Sequence, residues 1–282
     1  MLLGLHCSIR QGFSEALSYA ESLKADVIQI LPYRRNESPT EEDYAGFVRK
    51  LPQSSVKKVY VHSRFVPNLA LIDEKKRLSS AARLAYELGL AARLNAEAFV
   101  LHLGAYSEGD SVSSGLALAA RSVRLAYQEA ERTVSLCIEN VPGGGRRLGG
   151  KLEELASFAE ILQKENRQIT LSFCLDTAHA WAAGYPISDA EGMSRFLERA
   201  SRILGKGNIR LFHLNDTHAD LESHRESHGL WGRGVLGFEG LRFLLAAENF
   251  RGCSGILESP KPGEAERLNF KELQKIALFA KV

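Results

Sequence analysis

The feature that most limits how this chain can fold is the regular alternation of short apolar runs with longer amphipathic segments. Eight runs read as buried strands, at residues 2–7, 27–31, 58–61, 98–103, 134–138, 169–175, 209–214 and 255–257. Helical periodicity occupies residues 13–24, 40–50, 74–94, 113–132, 151–164, 188–204 and 238–248, and a last helix is predicted over 269–280. Eight strands each followed by a helix predict an α/β fold of the (β/α)8 TIM-barrel type, with its site at the C-terminal face. An open doubly wound sheet is the rival, and a count of eight favours closure. No linker or low-complexity tract interrupts the pattern, so residues 1–282 are expected to form a single domain.

The longest polar connections, residues 34–39, 105–110, 141–150 and 215–237, all follow strands. They are therefore expected on the face where barrels of this kind build their sites. The last is too long for a mere connector and reads as functional.

The residues at the strand ends carry the chemistry. In order they are His6, His62, His102, Glu139, Asp176, His213 and Glu258, so seven of the eight strands stop in or beside a group able to bind a metal. A lone histidine there has a plain explanation as a satisfied core residue, and Asp176 with His179 three residues on reads equally as a helix cap. An unpaired carboxylate at the end of an apolar strand is costly to bury, however, and neither Lys nor Arg adjoins Glu139. Several acidic and imidazole groups facing one cavity call for divalent cations. Imidazole and carboxylate without thiolate suit Zn²⁺, and Mn²⁺ or Fe²⁺ less uniquely. The donors outnumber the needs of one ion, which implies two or three. The connection after His213 adds Asp216, His218, Asp220, His224, Glu226 and His228 as further candidates.

Composition narrows the setting. No apolar run reaches the length of a membrane span, and the amino terminus has no basic leader, so an intracellular, cytoplasmic protein is expected. Cys7, Cys137, Cys174 and Cys253 lie far apart and read as small core residues. A net charge of +2 neither demands nor forbids a nucleic-acid partner. Gly143-Gly144-Gly145 lacks the Lys-Ser/Thr of a phosphate-cradling loop and is not read as one.

With these residues in view, the chain resembles the endonuclease IV family of apurinic/apyrimidinic-site DNA repair nucleases over essentially its whole length. The resemblance rests on Gly4-Leu5-His6-Cys7-Ser8 with Gly12, on Val61-His62-Ser63, on Leu101-His102-Leu103-Gly104 and on Ile138-Glu139-Asn140. Its most specific parts are Cys174-Leu175-Asp176-Thr177-Ala178-His179-Ala180, Phe212-His213-Leu214-Asn215-Asp216 and Leu257-Glu258-Ser259-Pro260. It implies three zinc ions, the first held by His62, His102 and Glu139. Glu139 would bridge to a second held by Asp176, His213 and Glu258. His179, His228 and Glu226 would hold the third. The family carries Asp where this chain has Glu226, and Asp220 or His224 stand by as substitutes. Glu139, Asp176 and Glu258 are the implied catalytic carboxylates.

The implied reaction is hydrolysis 5′ to an abasic site in double-stranded DNA, leaving a 3′ hydroxyl, by a monomer that joins the nucleoid when acting and needs no membrane. His6, Tyr33, Arg34, Arg35 with Asn36, Phe65, Arg146 and Arg147 are the expected DNA contacts. Phe65 occupies the place of an intercalating aromatic. The alternative is a metal-dependent sugar isomerase or epimerase of the xylose-isomerase-like barrel group. It would need Glu139, Asp176, His213 and Glu258 but leaves His62, His102, His179 and His228 without a task.

Overall fold

In the computed structural model, which describes residues 1–34, 39–258 and 263–279, eight parallel strands close into a barrel in chain order. They are β1 (Leu2–His6), β2 (Val27–Ile30), β3 (Lys58–His62), β4 (Ala98–Leu101), β5 (Ser135–Glu139), β6 (Leu171–Asp176), β7 (Ile209–His213) and β8 (Ser254–Leu257). Pairing of β1 with β8, from Leu2 opposite Ser254 to Leu5 opposite Leu257, leaves no free edge. The helices are α1 (Phe13–Ser22), α2 (Glu41–Lys50), α3 (Glu74–Arg93), α4 (Val112–Glu129), α5 (Leu152–Glu165), α6 (Thr177–Ala182), α7 (Ala190–Ala200), α8 (Glu239–Ala246) and α9 (Glu264–Phe279). Among the described residues no helix is long and apolar enough to cross a membrane.

The period of two along a strand organises both the core and the site. Leu3, Leu5, Ile28, Ile30, Val59, Val61, Phe99, Leu101, Leu136, Ile138, Phe173 and Leu175 belong to the large cluster that packs against the helices. The alternate residues Val27, Tyr60, Val100, Cys137, Cys174, Leu211 and Ile256 form a second buried cluster, which fills the barrel. Tyr60 is admitted there because its hydroxyl donates to Ser254 at 3.0 Å. Two residues beyond each member of that second set, on the same face, stand Gln29, His62, His102, Glu139, Asp176, His213 and Glu258. The apolar plug of the barrel thus carries a polar layer on top of it. The four cysteines are buried free thiols, as expected.

Helix starts follow local chemistry. Thr40 and Asp43 form a reciprocal capping box before α2, while Asp73, Ser111 and Asp189 cap α3, α4 and α7. Three departures from the sequence reading are local. The segment after β6 forms a helix of its own, α6, because Asp176 caps it by accepting the His179 N–H at 2.8 Å. The helix expected over 188–204 is regular only to Ala200 and then widens into a π turn over Ser201–Gly205. The last helix begins at Glu264 rather than residue 269, since Glu266 is buried and accepts the Tyr19 hydroxyl at 2.7 Å, which anchors its first turn. Arg35, Asn36, Ser259 and Pro260 lie outside the described residues.

Candidate metal centre

Eight donors converge at the C-terminal mouth. Glu139 is the hub, and its two oxygens are divided: Oε2 faces His102 Nε2 at 2.9 Å and His62 Nε2 at 3.0 Å, whereas Oε1 faces His213 Nδ1 at 3.0 Å and His179 Nδ1 at 3.2 Å. His213 Nδ1 is also 3.3 Å from Glu258 Oε2 and 3.8 Å from Asp176 Oδ2. His228 Nε2 lies 3.2 Å from His179 Nε2 and 3.6 Å from Asp176 Oδ2. Four donors placed about 2.0 Å from a tetrahedral ion stand roughly 3.3 Å from one another, so these separations suit ligands around shared cations. The geometry defines a His62/His102/Glu139 group, a Glu139/Asp176/His213/Glu258 group and an Asp176/His179/His228 group. Cys174 also falls within reach of Glu139 and His213, but burial holds its thiol proton well above the usual range.

The donor set fits metal on chemical grounds as well. Among the described residues, the charged partners recorded for Glu139, Asp176 and Glu258 are all imidazoles. Burial disfavours the Glu139 carboxylate, yet His213 and His102 outweigh that and hold it far below the ordinary range. Burial likewise opposes charge on His179 and His213, but the surrounding carboxylates, Asp176 first for His179 and Glu139 first for His213, raise them to about 10 and about 9. Glu258 is lowered to about 2 because His213 and other imidazoles overcome its own burial and the repulsion of Glu139. In the metal-free cluster the carboxylates thus favour the protonated forms of His179 and His213.

Around the donors lies a shell of neutral hydrogen-bonding groups. His62 Nδ1 sits 2.8 Å from the Ser63 carbonyl, so its N–H donates outward and Nε2 faces Glu139, whereas His179 Nδ1 lies between the Asn140 carbonyl at 2.9 Å and Glu139 Oε1 at 3.2 Å and its Nε2 faces His228. Asn140 also accepts the Asp176 N–H at 2.6 Å. Asn215 donates to Asp176 Oδ2 at 2.6 Å and accepts the Glu258 N–H at 2.9 Å. Gln29 is fully buried between His213, His6 and Glu258. Sequence reasoning passed over Gln29, and the signal for it was a single amide inside the apolar strand Val27–Ile30.

Comparison with known proteins then places the chain. The family described as xylose isomerase-like TIM barrel matches residues 17–277. The protein named "Probable endonuclease 4" of Chloroflexus aurantiacus is 31% identical over 282 residues, covering 97% of both chains. The chain belongs to the endonuclease IV family. The Geobacter sulfurreducens "Probable endonuclease 4" is likewise 31% identical, over 97% of this chain and 94% of its own. The crystal structure of endonuclease IV from Thermus thermophilus superposes with a TM-score of 0.84 at 27% identity, over 99% of this chain and 100% of that one. A D-tagatose 3-epimerase-like protein reaches a TM-score of 0.75 at 20% identity, a likeness of fold alone.

In the long connection after β7, the carboxylate that the endonuclease IV resemblance implies stands apart from the other donors. Glu226 is exposed and belongs to none of the three donor groups, although its charge helps to raise His179. The carboxylate beside His179 and His228 is Asp176, which is thereby shared between two groups. Asp220 and His224 also stand outside the three donor groups. Asp220 is exposed and pairs with Arg225 at 3.2 Å. His224 directs Nδ1 to the Pro142 carbonyl at 2.8 Å and packs on Gly144, where a Cβ would come within 2.6 Å of the His224 Cβ. His218 is exposed. Asp216 is fully buried and accepts the N–H groups of Thr217, Gly232, Gly234 and Leu236 at 2.8–3.0 Å, which makes it the organiser of the loop rather than a ligand.

The residues expected to meet DNA occupy several loops of this endonuclease IV fold. Tyr33 is half-buried, with its hydroxyl donating to Glu87 at 3.0 Å and the Arg64 guanidinium 5.4 Å from its ring. Arg34 is half-buried, and Arg35 lies outside the described residues. Phe65 is 48% exposed and flanked by the guanidinium groups of Arg64 and Arg83 at 5.6 and 5.9 Å. Arg146 and Arg147 are exposed, and Arg147 donates to the His224 carbonyl at 2.5 Å. His6 is half-buried at the mouth, its Nδ1 3.8 Å from Glu258 Oε1.

Proposed function

We propose that the chain cuts the phosphodiester on the 5′ side of abasic sites in double-stranded DNA, leaving a 3′ hydroxyl, with three zinc ions at the barrel mouth. The observation that carries this reading is the interlocked cluster of five imidazoles and three carboxylates, His62, His102, His179, His213, His228, Glu139, Asp176 and Glu258. A sugar isomerase needs only the Glu139, Asp176, His213 and Glu258 group, and the remaining imidazoles favour the nuclease. As a member of the endonuclease IV family the chain is a nuclease-type hydrolase.

His62, His102 and Glu139 would hold one ion, Asp176, His213 and Glu258 with the shared Glu139 a second, and His179, His228 and Glu226 a third, with Asp176 beside them. Mn²⁺ or Fe²⁺ could take part of the set. Ions held there supply Lewis acidity and a water of lowered pKa, which phosphodiester hydrolysis at neutral pH requires. Glu139 would be shared between the first two sites, since its two oxygens are divided among four imidazoles. Asp176 is oriented through Oδ1, which accepts the His179 N–H, and through Asn215, which donates to Oδ2. Glu139, Asp176 and Glu258 are the proposed catalytic carboxylates.

An abasic site offers no base to read, so selection rests on extruding the nucleotide and filling the gap. Phe65, exposed between two guanidinium groups, suits a wedge. His6, Tyr33, Arg34, Arg35, Arg146 and Arg147 are the proposed contacts to the backbone. The whole chain would act as one domain and as a monomer, at the nucleoid.

The test is a duplex bearing one stable abasic analogue. A single 5′ nick with an extendable 3′ hydroxyl is expected, abolished by chelation and restored by zinc. An intact duplex after incubation with zinc-loaded protein overturns the reading, and turnover of a ketose or aldose by that sample would establish the isomerase instead. Phe65→Ala is expected to lower kcat/KM on this duplex about 10-fold, the order of one lost stacking contact. An unchanged value removes Phe65 from lesion recognition.

A further inference from the structure

At the end of β2, among the described residues, the polar layer holds Gln29 where β3 to β8 each supply a metal donor. The amide has three partners, and their chemistry leaves only one orientation. Glu258 Oε1, 2.6 Å away, is a carboxylate oxygen and accepts, so the Gln29 NH₂ must face it. The carbonyl Oε1 then faces His213 Nε2 at 2.8 Å. An oxygen cannot donate, so His213 must carry a proton on Nε2. The lone pair of the neutral ring is left on Nδ1, the atom that faces Glu139, Glu258 and Asp176. The second amide hydrogen points to His6 Nδ1 at 3.0 Å, which places the His6 proton on Nε2.

We infer that Gln29 is a positioning residue that selects the coordinating nitrogen of His213 and braces Glu258 through a single buried amide. The inference rests on the metal-centre reading for its consequence, but not for its geometry. Histidine ligands in metal sites are oriented through their other nitrogen, and losing such a partner costs about 10- to 100-fold in metal affinity. Here the partner comes from the opposite end of the chain, 184 residues from His213. It also restrains a second donor, Glu258.

The experiment compares the parent with Gln29→Met, which keeps length and apolar bulk, and with Gln29→Glu, which keeps an acceptor for His213 but loses the NH₂. The direct readout is the His213 Nε2–H proton, observed by ¹⁵N-edited NMR of specifically assigned histidine in both metal-free and zinc-loaded protein. A resonance protected from solvent exchange is expected in the parent and in Gln29→Glu under both conditions, and its loss in Gln29→Met. Competition with a zinc chelator should then show one ion bound about 10- to 100-fold more weakly in Gln29→Met, with the remaining ions unchanged. A parent without the protected Nε2–H, or a Gln29→Met variant that keeps it, overturns the inference, as does unchanged zinc affinity in Gln29→Met. Failure of the metal-centre reading looks different: the protected proton is present in the parent, yet no zinc is retained. That result overturns the role of Gln29 in metal binding and leaves its hydrogen-bonding assignment measured.

Discussion

Replacing Asp216 with Ala should detach the loop that carries His228 while leaving the barrel folded. The Asp216 carboxylate accepts four backbone N–H groups, from Thr217 at 2.8 Å, Leu236 at 2.9 Å, and Gly232 and Gly234 at 3.0 Å. Hydrogen bonds to a charged group contribute about 1.5–3 kcal/mol each, which gives a gross figure of roughly 6–12 kcal/mol. Burying the carboxylate costs several kcal/mol in the opposite direction. Removing one side of such an arrangement leaves a net loss of about 3–5 kcal/mol.

The loss should appear locally, since opening residues 217–236 leaves the strands paired. Amide exchange at Thr217, Gly232, Gly234 and Leu236 should accelerate by at least about 100-fold, the equivalent of roughly 3 kcal/mol. His228 lies within the opened segment, and the backbone pairing of Gly229 with residue 216, at 2.7 Å, is the tie beside it that the substitution leaves in place, so the His179/His228 group should hold metal more weakly. Elemental analysis should report one ion fewer than in the parent. Asp216→Asn should not rescue the loop, because its single oxygen can serve only one of the two pairs of N–H groups. Parental exchange rates together with a full metal complement in Asp216→Ala would refute the reasoning.

Three further outcomes are expected. Glu87 is buried on α3 and ties two loops together by accepting the Tyr33 hydroxyl at 3.0 Å and the Arg64 N–H at 3.3 Å, so Glu87→Ala should cost about 1–3 kcal/mol and raise KM for abasic duplex more than it lowers kcat, with metal content unchanged. A purely structural loss, lowering Tm with unaltered KM, would contradict that. Gly144→Ala places a Cβ 2.6 Å from the His224 Cβ at a φ of +78°, so it should destabilise the chain by about 1–3 kcal/mol, visible as a lower denaturation midpoint. In the metal-free protein, burial disfavours charge on His179 and His213, but the carboxylates raise them from 6.5 to about 10 and about 9. Their stabilising contribution is therefore complete below pH 6.5 and lost as pH rises through 9 and 10, so metal-free Tm should fall across that window. Zinc loading at neutral pH should release their protons, measurable by calorimetry in buffers of different ionisation enthalpy, and loading without proton release would refute the assignment.

Much of the architecture is legible in the chain itself because the periods of strand and helix are local properties. The apolar runs and their polar ends placed His62, His102, Glu139, Asp176, His213 and Glu258 in one layer, since alternate residues of a closed barrel share one interior. Asp176 shows where a local reading divides too sharply. The cap and the candidate ligand are both present, because a carboxylate has two oxygens and the backbone turn uses only Oδ1.

What the chain alone left undecided lies in contacts between residues distant along it. Spacing aligned Glu226 with a ligand position but said nothing of Asp216, whose four amide partners shape the loop, or of Asp176 standing beside His228 while Glu226 is exposed. Gln29 carried no motif, and its role depends on His6, His213 and Glu258 arriving around it from β1, β7 and the end of β8. The sequence by itself determined the barrel and the chemical types at its mouth, because hydrophobic periodicity and strand ends are written residue by residue. Only the tertiary structure decided which donors share a cation site and which groups orient them, because hydrogen-bond geometry depends on partners brought together by closure of the barrel.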